Sequence, residues 1–392
     1  MILKLALRNI LGNGWRSLIN IFIMAFILIG LIWMEAMWIS WMQLAKTQQK
    51  EWEYGSLLFR VKAYDPFDAF SWEKSFAPIP RQASRHVDAG ELVPILFSPS
   101  VIYPHGRMMN AMVKGIPSDQ QVLKLPSSHL RQNDSGFIPV VIGESMSRTT
   151  KLKEGDIFTI RVKDSYDAFN TLDLQVAKVM NCPVPSLDMG TVWVDLSQLQ
   201  EVKQLGGMAT VLVSSDPDLT LQAGSEFQAI PEKEFFADID EMVKTKAGGQ
   251  SLLFIMMIFL AMLAIFDTQT LAIFKRRKEI GMLAAMGMAK GRIVKLFTLE
   301  GSLYMLCGSV MALVLGFPIF WYFGTRGLQL PGGTEGFGIQ GFSEPLKLIY
   351  PPAAIGSTLL LMFLLTALIS WLPARKIAKM NPTDAIRGAD HA

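Results

Sequence analysis

Four stretches of the chain contain no lysine or arginine and are apolar almost throughout: Leu18–Met42, Ser251–Phe274, Leu296–Phe323 and Pro351–Leu372. A hydrocarbon core about 30 Å thick takes about 20 helical residues to cross, so each stretch predicts a transmembrane helix. The first is too long for the apolar segment of a cleaved signal peptide, which covers about 7–15 residues and ends at small residues. This one runs into Trp38, Trp41 and Met42 and is expected to be retained. Tyr350 and Trp371 flank the last stretch, where amphipathic rings favour the interface. Pro351 and Pro352 are placed to start that helix, and Pro373 to end its membrane portion.

Residues 43–250 have a different rhythm. Short runs rich in β-branched and aromatic residues predict strands at Leu57–Ala63, Leu92–Phe97, Met108–Lys114, Ile138–Ile142, Asp156–Val162, Leu172–Met180, Thr191–Val194 and Ala209–Ser214. Proline-bearing turns separate them. Helices are predicted at Ser118–Leu125, at Asp195–Leu205 behind an aspartate cap, and at Pro231–Thr245. Residues 1–17 carry Leu3, Leu7, Ile10 and Leu11 at helical spacing with Lys4 and Arg8 beside them. They predict an amphipathic helix on a membrane surface, with Gly12, Asn13 and Gly14 as a bend. The fold class that follows is an α-helical membrane bundle of four transmembrane helices with a large α+β domain outside the cytoplasm. The order is 1–17 elbow, 18–42 first span, 43–250 outer domain, 251–274 second span, 275–295 loop, 296–323 third span, 324–350 short loop, 351–372 fourth span and 373–392 tail.

Composition agrees with the pattern. Charged residues make up 18% of the 392 and apolar ones 51%, against roughly 25% charged in soluble chains. The net charge of +3 averages unlike parts. Segment 275–295 holds seven basic residues and one acid, whereas 43–250 holds 21 basic and 26 acidic residues. Lysine and arginine accumulate on the cytoplasmic side of short loops, so both termini and the 275–295 loop are expected inside and the large domain outside. The two cysteines, Cys182 and Cys307, fall in different regions and are not expected to pair.

Several chemistries are absent from the sequence. There is no phosphate-binding G-x-x-x-x-G-K-[ST] loop, so the chain is not itself expected to hydrolyse ATP. The four histidines, His86, His105, His129 and His391, lack ligand spacing, and no metal, catalytic residue or nucleic-acid patch is expected. Three acids lie within the spans, Glu35, Asp267 and Glu300. Each costs about 2.5–3.5 kcal/mol at a helix centre on insertion scales and needs a partner. Asp267 lies eight residues before Lys275 and Glu300 eight after Arg292, so both sit about 12 Å from a basic anchor. They are read as polar contacts between helices, with Thr268, Gln269 and Thr270 near; proton coupling is the functional alternative. The Gly308/Ala312/Gly316 spacing allows close helix approach, within the chain or in a dimer.

The most specific segment runs from Lys275 to Gly287. A topology anchor needs only its basic start. It does not need Glu279-Ile280-Gly281 or the apolar run Met282–Met288, which reads as a docking surface. The pattern R-x-x-E-I-G-x-L-x-A-x-G at Arg276–Gly287 resembles the signature of FtsX-like ABC transporter permeases, the group of MacB and the lipoprotein-releasing LolC/LolE proteins. Ala6-Leu7-Arg8-Asn9 with Trp15-Arg16-Ser17-Leu18 is similar to that family's N-terminal elbow. Val141-Ile142-Gly143-Glu144 and Leu152-Lys153-Glu154-Gly155-Asp156 are similar to part of its periplasmic core domain, the MacB-type kind. Pro373–Ala378 and Asn381–Arg387 match its C-terminal pattern, and Glu300 falls where the family has a glutamate.

The resemblance implies a permease that binds no cofactor directly, with ATP and magnesium held by a separate cytoplasmic ABC ATPase dimer. It implies pairing with a second permease copy or paralogue. It also implies that Arg276, Arg277, Lys278, Glu279, Ile280, Gly281, Leu283, Ala285, Met286 and Gly287 form the coupling helix. The work would be done on the periplasmic side of a bacterial inner membrane, on lipids or lipoproteins, with a periplasmic chaperone or adaptor as a further partner. The turn Asp164–Thr171 is shorter than the branch's chaperone-gripping hairpin, but Tyr166 and Phe169 are candidate contacts. Signalling to a periplasmic enzyme without transport, and efflux of drugs or peptides, are the alternatives.

Overall fold

The computed structural model describes residues 14–65, 71–132, 136–221, 225–328 and 345–378, together with 6, 8, 10, 12 and 68. They fall into two compact units: one from residues up to Met42, Val243–Leu328 and Pro345 onward, the other from Gln43–Met242.

The first unit is helical. Its four long helices run Trp15–Gln49, Ala237–Lys275, Lys290–Arg326 and Pro352–Ala378, and each is long and apolar enough to cross a membrane. Their ends lie beyond the apolar blocks, because polar flanks such as Lys46–Gln49 continue the hydrogen-bonded spiral. The fourth helix starts at Pro352 and continues through Pro373. Gly14, at φ +49°, supplies the bend before the first helix. Of the predicted elbow, Ala6 and Ile10 are buried and Arg8 and Gly12 are exposed; its remaining residues before Gly14, segment 329–344 and the tail from Lys379 lie outside the described residues.

All four helices contribute to one core of Met24, Ala25, Leu28 and Leu31, then Ala261 and Ile265, Met305 and Ala312, and Met362 and Ile369. Gly308 sits against the first helix so closely that a Cβ there would fall 2.6 Å from Met24 Cβ. The small-residue stripe thus serves packing inside the chain. The second helix contributes least: 12% of its apolar window is buried, against 39% for the first. Ala261, Ile265, Gln269 and Ile273, four residues apart, are its buried stripe.

The second unit is built on β1 (Leu57–Val61), β2 (Ala77–Pro78), β3 (Leu92–Tyr103), β4 (Met109–Ile116), β5 (Ile138–Gly143), β6 (Ile157–Lys163), β7 (Phe169–Met180), β8 (Thr191–Asp195), β9 (Met208–Ala209), β10 (Val211–Ser214) and β11 (Phe227–Ile230). The main sheet runs β11-β1-β10-β3-β4-β8-β5-β7-β6, and β6 returns to pair with β3. Strands β3, β4, β8, β5, β7 and β6 therefore close a small barrel. Its interior holds Leu96, Val113, Ile142, Phe158, Ile160, Leu174, Val176 and Val192. The first residues of β3 pair instead with β10, so β3 is shared between the barrel and a flat extension. A smaller core of Phe59, Val61, Leu92, Leu212 and Phe227 backs the extension.

The helix after Asp195 forms as expected, over Leu196–Lys203, with the Asp195 side chain accepting from Ser197 N. The helix expected over Ser118–Leu125 does not: that segment is a loop in which the Gln120 side chain accepts from Leu123 N and donates to Leu123 O. Both cysteines are free thiols.

Candidate functional site

The second long helix ends at Lys275, and a nine-residue helix, Arg277–Ala285, follows after a one-residue break. Gly287, at φ +87°, stops it, a conformation that a side chain makes costly. Chain direction is thereby reversed into the third helix at Lys290.

The root of this loop is clamped. Arg276 Nη1 donates to both carboxylate oxygens of Glu300, at 2.9 and 3.0 Å, and its Nε donates to Glu279 Oε2 at 2.8 Å. The guanidinium also lies over the Phe297 ring, 5.3 Å from its centroid. Glu300 is 5% exposed, so its charge is neutralised inside the protein by a planar donor that matches it. Around the clamp, Ile273, Ile280, Ile293, Phe297 and Ala374 form a cluster joining the second, third and fourth helices to the loop.

The predicted coupling residues therefore divide. Arg276, Ile280 and Gly281 face inward and hold the loop, whereas Lys278, Glu279, Ala285, Met286 and Gly287 are exposed. Met282 is 54% and Met286 75% exposed. Lys278, Met282 and Ala285/Met286 follow one another at helical spacing, so the bare face is a single stripe. The side chains of Arg277 and Leu283 lie outside the described residues.

The intramembrane acids separate in the same way. Glu300 is partnered by Arg276; the side chain of Thr268 lies outside the described residues. Gln269 Nε2 and Thr270 Oγ1 are buried without partners. Asp267 is exposed and has no partner among the described residues. Glu35 is half-buried, and its Oε2 accepts from Thr358 Oγ1 of the fourth helix at 2.5 Å. Near it Ser40 Oγ accepts from the backbone N–H of Ile349 at 2.7 Å. Tyr166 and Phe169 sit at the β6–β7 hairpin, 77% and 61% exposed. Asp164 organises that turn by accepting from the N–H groups of Tyr166 and Ala168. Among the described residues no group of acids, histidines and cysteines could hold a metal ion.

Residues 251–382, which contain the loop, its clamp and the last three spans, match the family described as FtsX-like permease C-terminal. About a third of the chain is thus similar to the C-terminal region of FtsX-like permeases. Similarity to MacB is distant. The chain is 24% identical over 162 residues to the macrolide export ATP-binding/permease protein MacB of Chromobacterium violaceum, covering 39% of this chain and 23% of that protein. It is 28% identical over 163 residues to MacB of Escherichia coli O157:H7, covering 40% and 23%. The match thus spans about a quarter of the length of these curated relatives.

Proposed function

We propose that this chain is the membrane subunit of an ABC transporter, driven by a separate cytoplasmic ATPase and working on the periplasmic side by transmitting movement. The observation that carries the proposal is the loop within the matched region: its root is tied to the third helix by the Arg276–Glu300 clamp, while Met282 and Met286 are bare. A clamped root with an apolar outer stripe is what a lever needs to receive a push from a cleft in a partner. The basic flanks support a cytoplasmic position for the loop and both termini, and a periplasmic one for the barrel domain, in a bacterial inner membrane. Pairing with a second permease is supported by the second helix, whose unburied face carries Asp267, a group too costly to leave in lipid.

We infer release of lipoproteins or lipids as the work done, by the resemblance of the outer domain and its exposed Tyr166/Phe169 hairpin, where a periplasmic chaperone or adaptor would dock. The names of the curated relatives favour a second reading, macrolide export. Met286→Asp should abolish co-purification of a P-loop ATPase with the tagged chain while leaving membrane insertion intact; undiminished co-purification would refute the coupling role. Deletion strains separate the two kinds of work. Lipoproteins retained in the inner membrane support release, and macrolide hypersensitivity alone supports export.

A further inference from the structure

The outer wall of the barrel carries a trough that the coupling role does not use, with Phe169 of the proposed docking hairpin at one end. It consists of a hollow of about 580 Å³ and an adjoining one of about 400 Å³, which share Trp72, Met112 and Gly190. Both volumes lie in the range of small-molecule sites. The trough lies wholly within the barrel unit, and strand register fixes its floor. Val101 of β3 pairs with Arg161 of β6 and Asn110 of β4. Two residues back along β3, Pro99 pairs with Met112, which pairs with Thr191 of β8. Two further back, Phe97 pairs with Lys114, which pairs with Trp193. These side chains alternate with Val113 and Val192, which fill the barrel, so they face away from its core. At about 3.3 Å per residue the three rows span about 13 Å.

Charge along the floor is uneven. Lys114 is paired with Glu53 at 2.9 Å and lies over the rings of Phe97 and Trp193. Arg60 is paired with Glu234, and Lys163 with Glu73 and Asp167. Lys62 donates to the Ser225 carbonyl. Arg161 lies over the Phe169 ring at 4.6 Å and has no carboxylate partner among the described residues. Hydrogen bonding is uneven too: Arg60 Nε, Arg161 Nε and Trp193 Nε1 are buried donors with no acceptor. Native proteins rarely leave such groups unmatched, and three of them line one trough. With Asp65 also on the lining, five cations face four carboxylates, so the surplus is one positive charge and several N–H donors at an aromatic and aliphatic surface.

We propose that this trough binds an amphipathic acid, its carboxylate or phosphate on Arg161 and its apolar body along Pro99, Met112 and Trp72 toward Phe97. The proposal stands apart from the coupling role, since binding requires neither nucleotide nor ATPase. The test is equilibrium dialysis of the full-length chain in lipid nanodiscs, with empty nanodiscs as the blank, using 2-naphthoate as a ring acid, octanoate as a chain acid and 2-naphthamide as the neutral counterpart. At least one acid is expected to be retained above the blank; which of them is retained distinguishes a ring-bearing from a lipid-like ligand. Arg161→Gln is expected to weaken its binding about tenfold, the worth of a charge-assisted hydrogen bond. Met112→Trp, which fills the floor, is expected to abolish it. Retention of neither acid, equal retention of the amide, or unchanged binding by Arg161→Gln or by Met112→Trp would overturn the proposal.

Discussion

Removing Arg276 should free the coupling loop far more than removing the charge of its partner. In Arg276→Ala a carboxylate that is 5% exposed loses its ion pair and both hydrogen bonds from Arg276 Nη1, at 2.9 and 3.0 Å. Stranding one partner of a buried pair costs about 3–5 kcal/mol, to which the lost Phe297 stacking adds about 0.5–2 kcal/mol. Glu300→Gln keeps the shape and one acceptor and leaves Arg276 on Glu279, so its cost is about 1.5–3 kcal/mol. The fragment that opens is residues 276–288, whose amides include Ile280 N bonded to Arg276 O and Met286 N bonded to Met282 O, both at 3.0 Å. If local opening is cheapened by about 3 kcal/mol, exchange of these amides accelerates about 100-fold in Arg276→Ala, and about tenfold or more in Glu300→Gln. Hydrogen exchange of the full-length chain in nanodiscs, followed by mass spectrometry of peptides covering 276–288, reads this directly. The double variant Arg276→Met with Glu300→Met should exchange more slowly than Arg276→Ala, because no buried charge is stranded. Exchange in Arg276→Ala within twofold of the wild type, or faster exchange in Glu300→Gln than in Arg276→Ala, would refute the clamp.

Gly301→Ala should lower the melting temperature, since the new Cβ would overlap Ser370 Oγ and lie 2.7 Å from Ser370 Cβ, an overpacking cost of about 1–3 kcal/mol. Adding Ser370→Gly should restore most of the loss, and a melt unaffected by Gly301→Ala would contradict the helix contact. Burial, the largest cause, pushes the Cys182 thiol from 9.0 up to about 12. The folded state therefore resists an ionisation that the unfolded chain undergoes near pH 9. Stability complete below pH 9 is lost as the pH rises from 9 toward 12, and native alkylation at pH 8 is slow against the unfolded chain. Asp195→Ala removes the acceptor for Ser197 N at 3.0 Å and should cost about 1 kcal/mol in denaturant melts.

The four long helices were legible because apolar blocks of that length have no other physical home, and the strands because alternation survives in short runs. What the chain did not disclose is non-local. Barrel closure depends on β3 meeting β6 and on the parallel pair β4–β8, contacts that no local pattern encodes. Proline misled at the end of one strand: Pro99 reads as a turn yet lies inside the twelve residues of β3, so the strand continues well past Phe97. At the site, Arg276 reads from its motif as a coupling residue, and its bonds to Glu300 and Glu279 could not be read from that motif. The signal was present in Glu300, since an acid inside an apolar span demands a donor, and antiparallel helices joined by a short loop place that donor on the loop's own root. The trough was not legible at all, because Arg161, Asn110, Phe97 and Trp193 come together only through register.

These contacts also decide where a push on Met282 and Met286 can go. The loop is bound at its root to Glu300 of the third helix, so displacement of the loop loads that helix first. The third helix is in turn the best-connected of the four: Gly301 meets Ser370 of the fourth, and Gly308 meets Met24 of the first, both too closely for a side chain to intervene. Close-packed contacts of this kind transmit displacement rather than absorb it. The second helix, in contrast, is the least buried, held by Ala261, Ile265, Gln269 and Ile273 with Phe254, Ile258 and Met262 partly packed beside them. Under the proposed function, such a lever would move the first, third and fourth helices together and leave the second as the face for a second permease. On that reasoning, loosening the Gly308–Met24 contact should uncouple ATP hydrolysis from periplasmic work while leaving ATPase binding intact, a separation of effects that loss of the Arg276 clamp should not show.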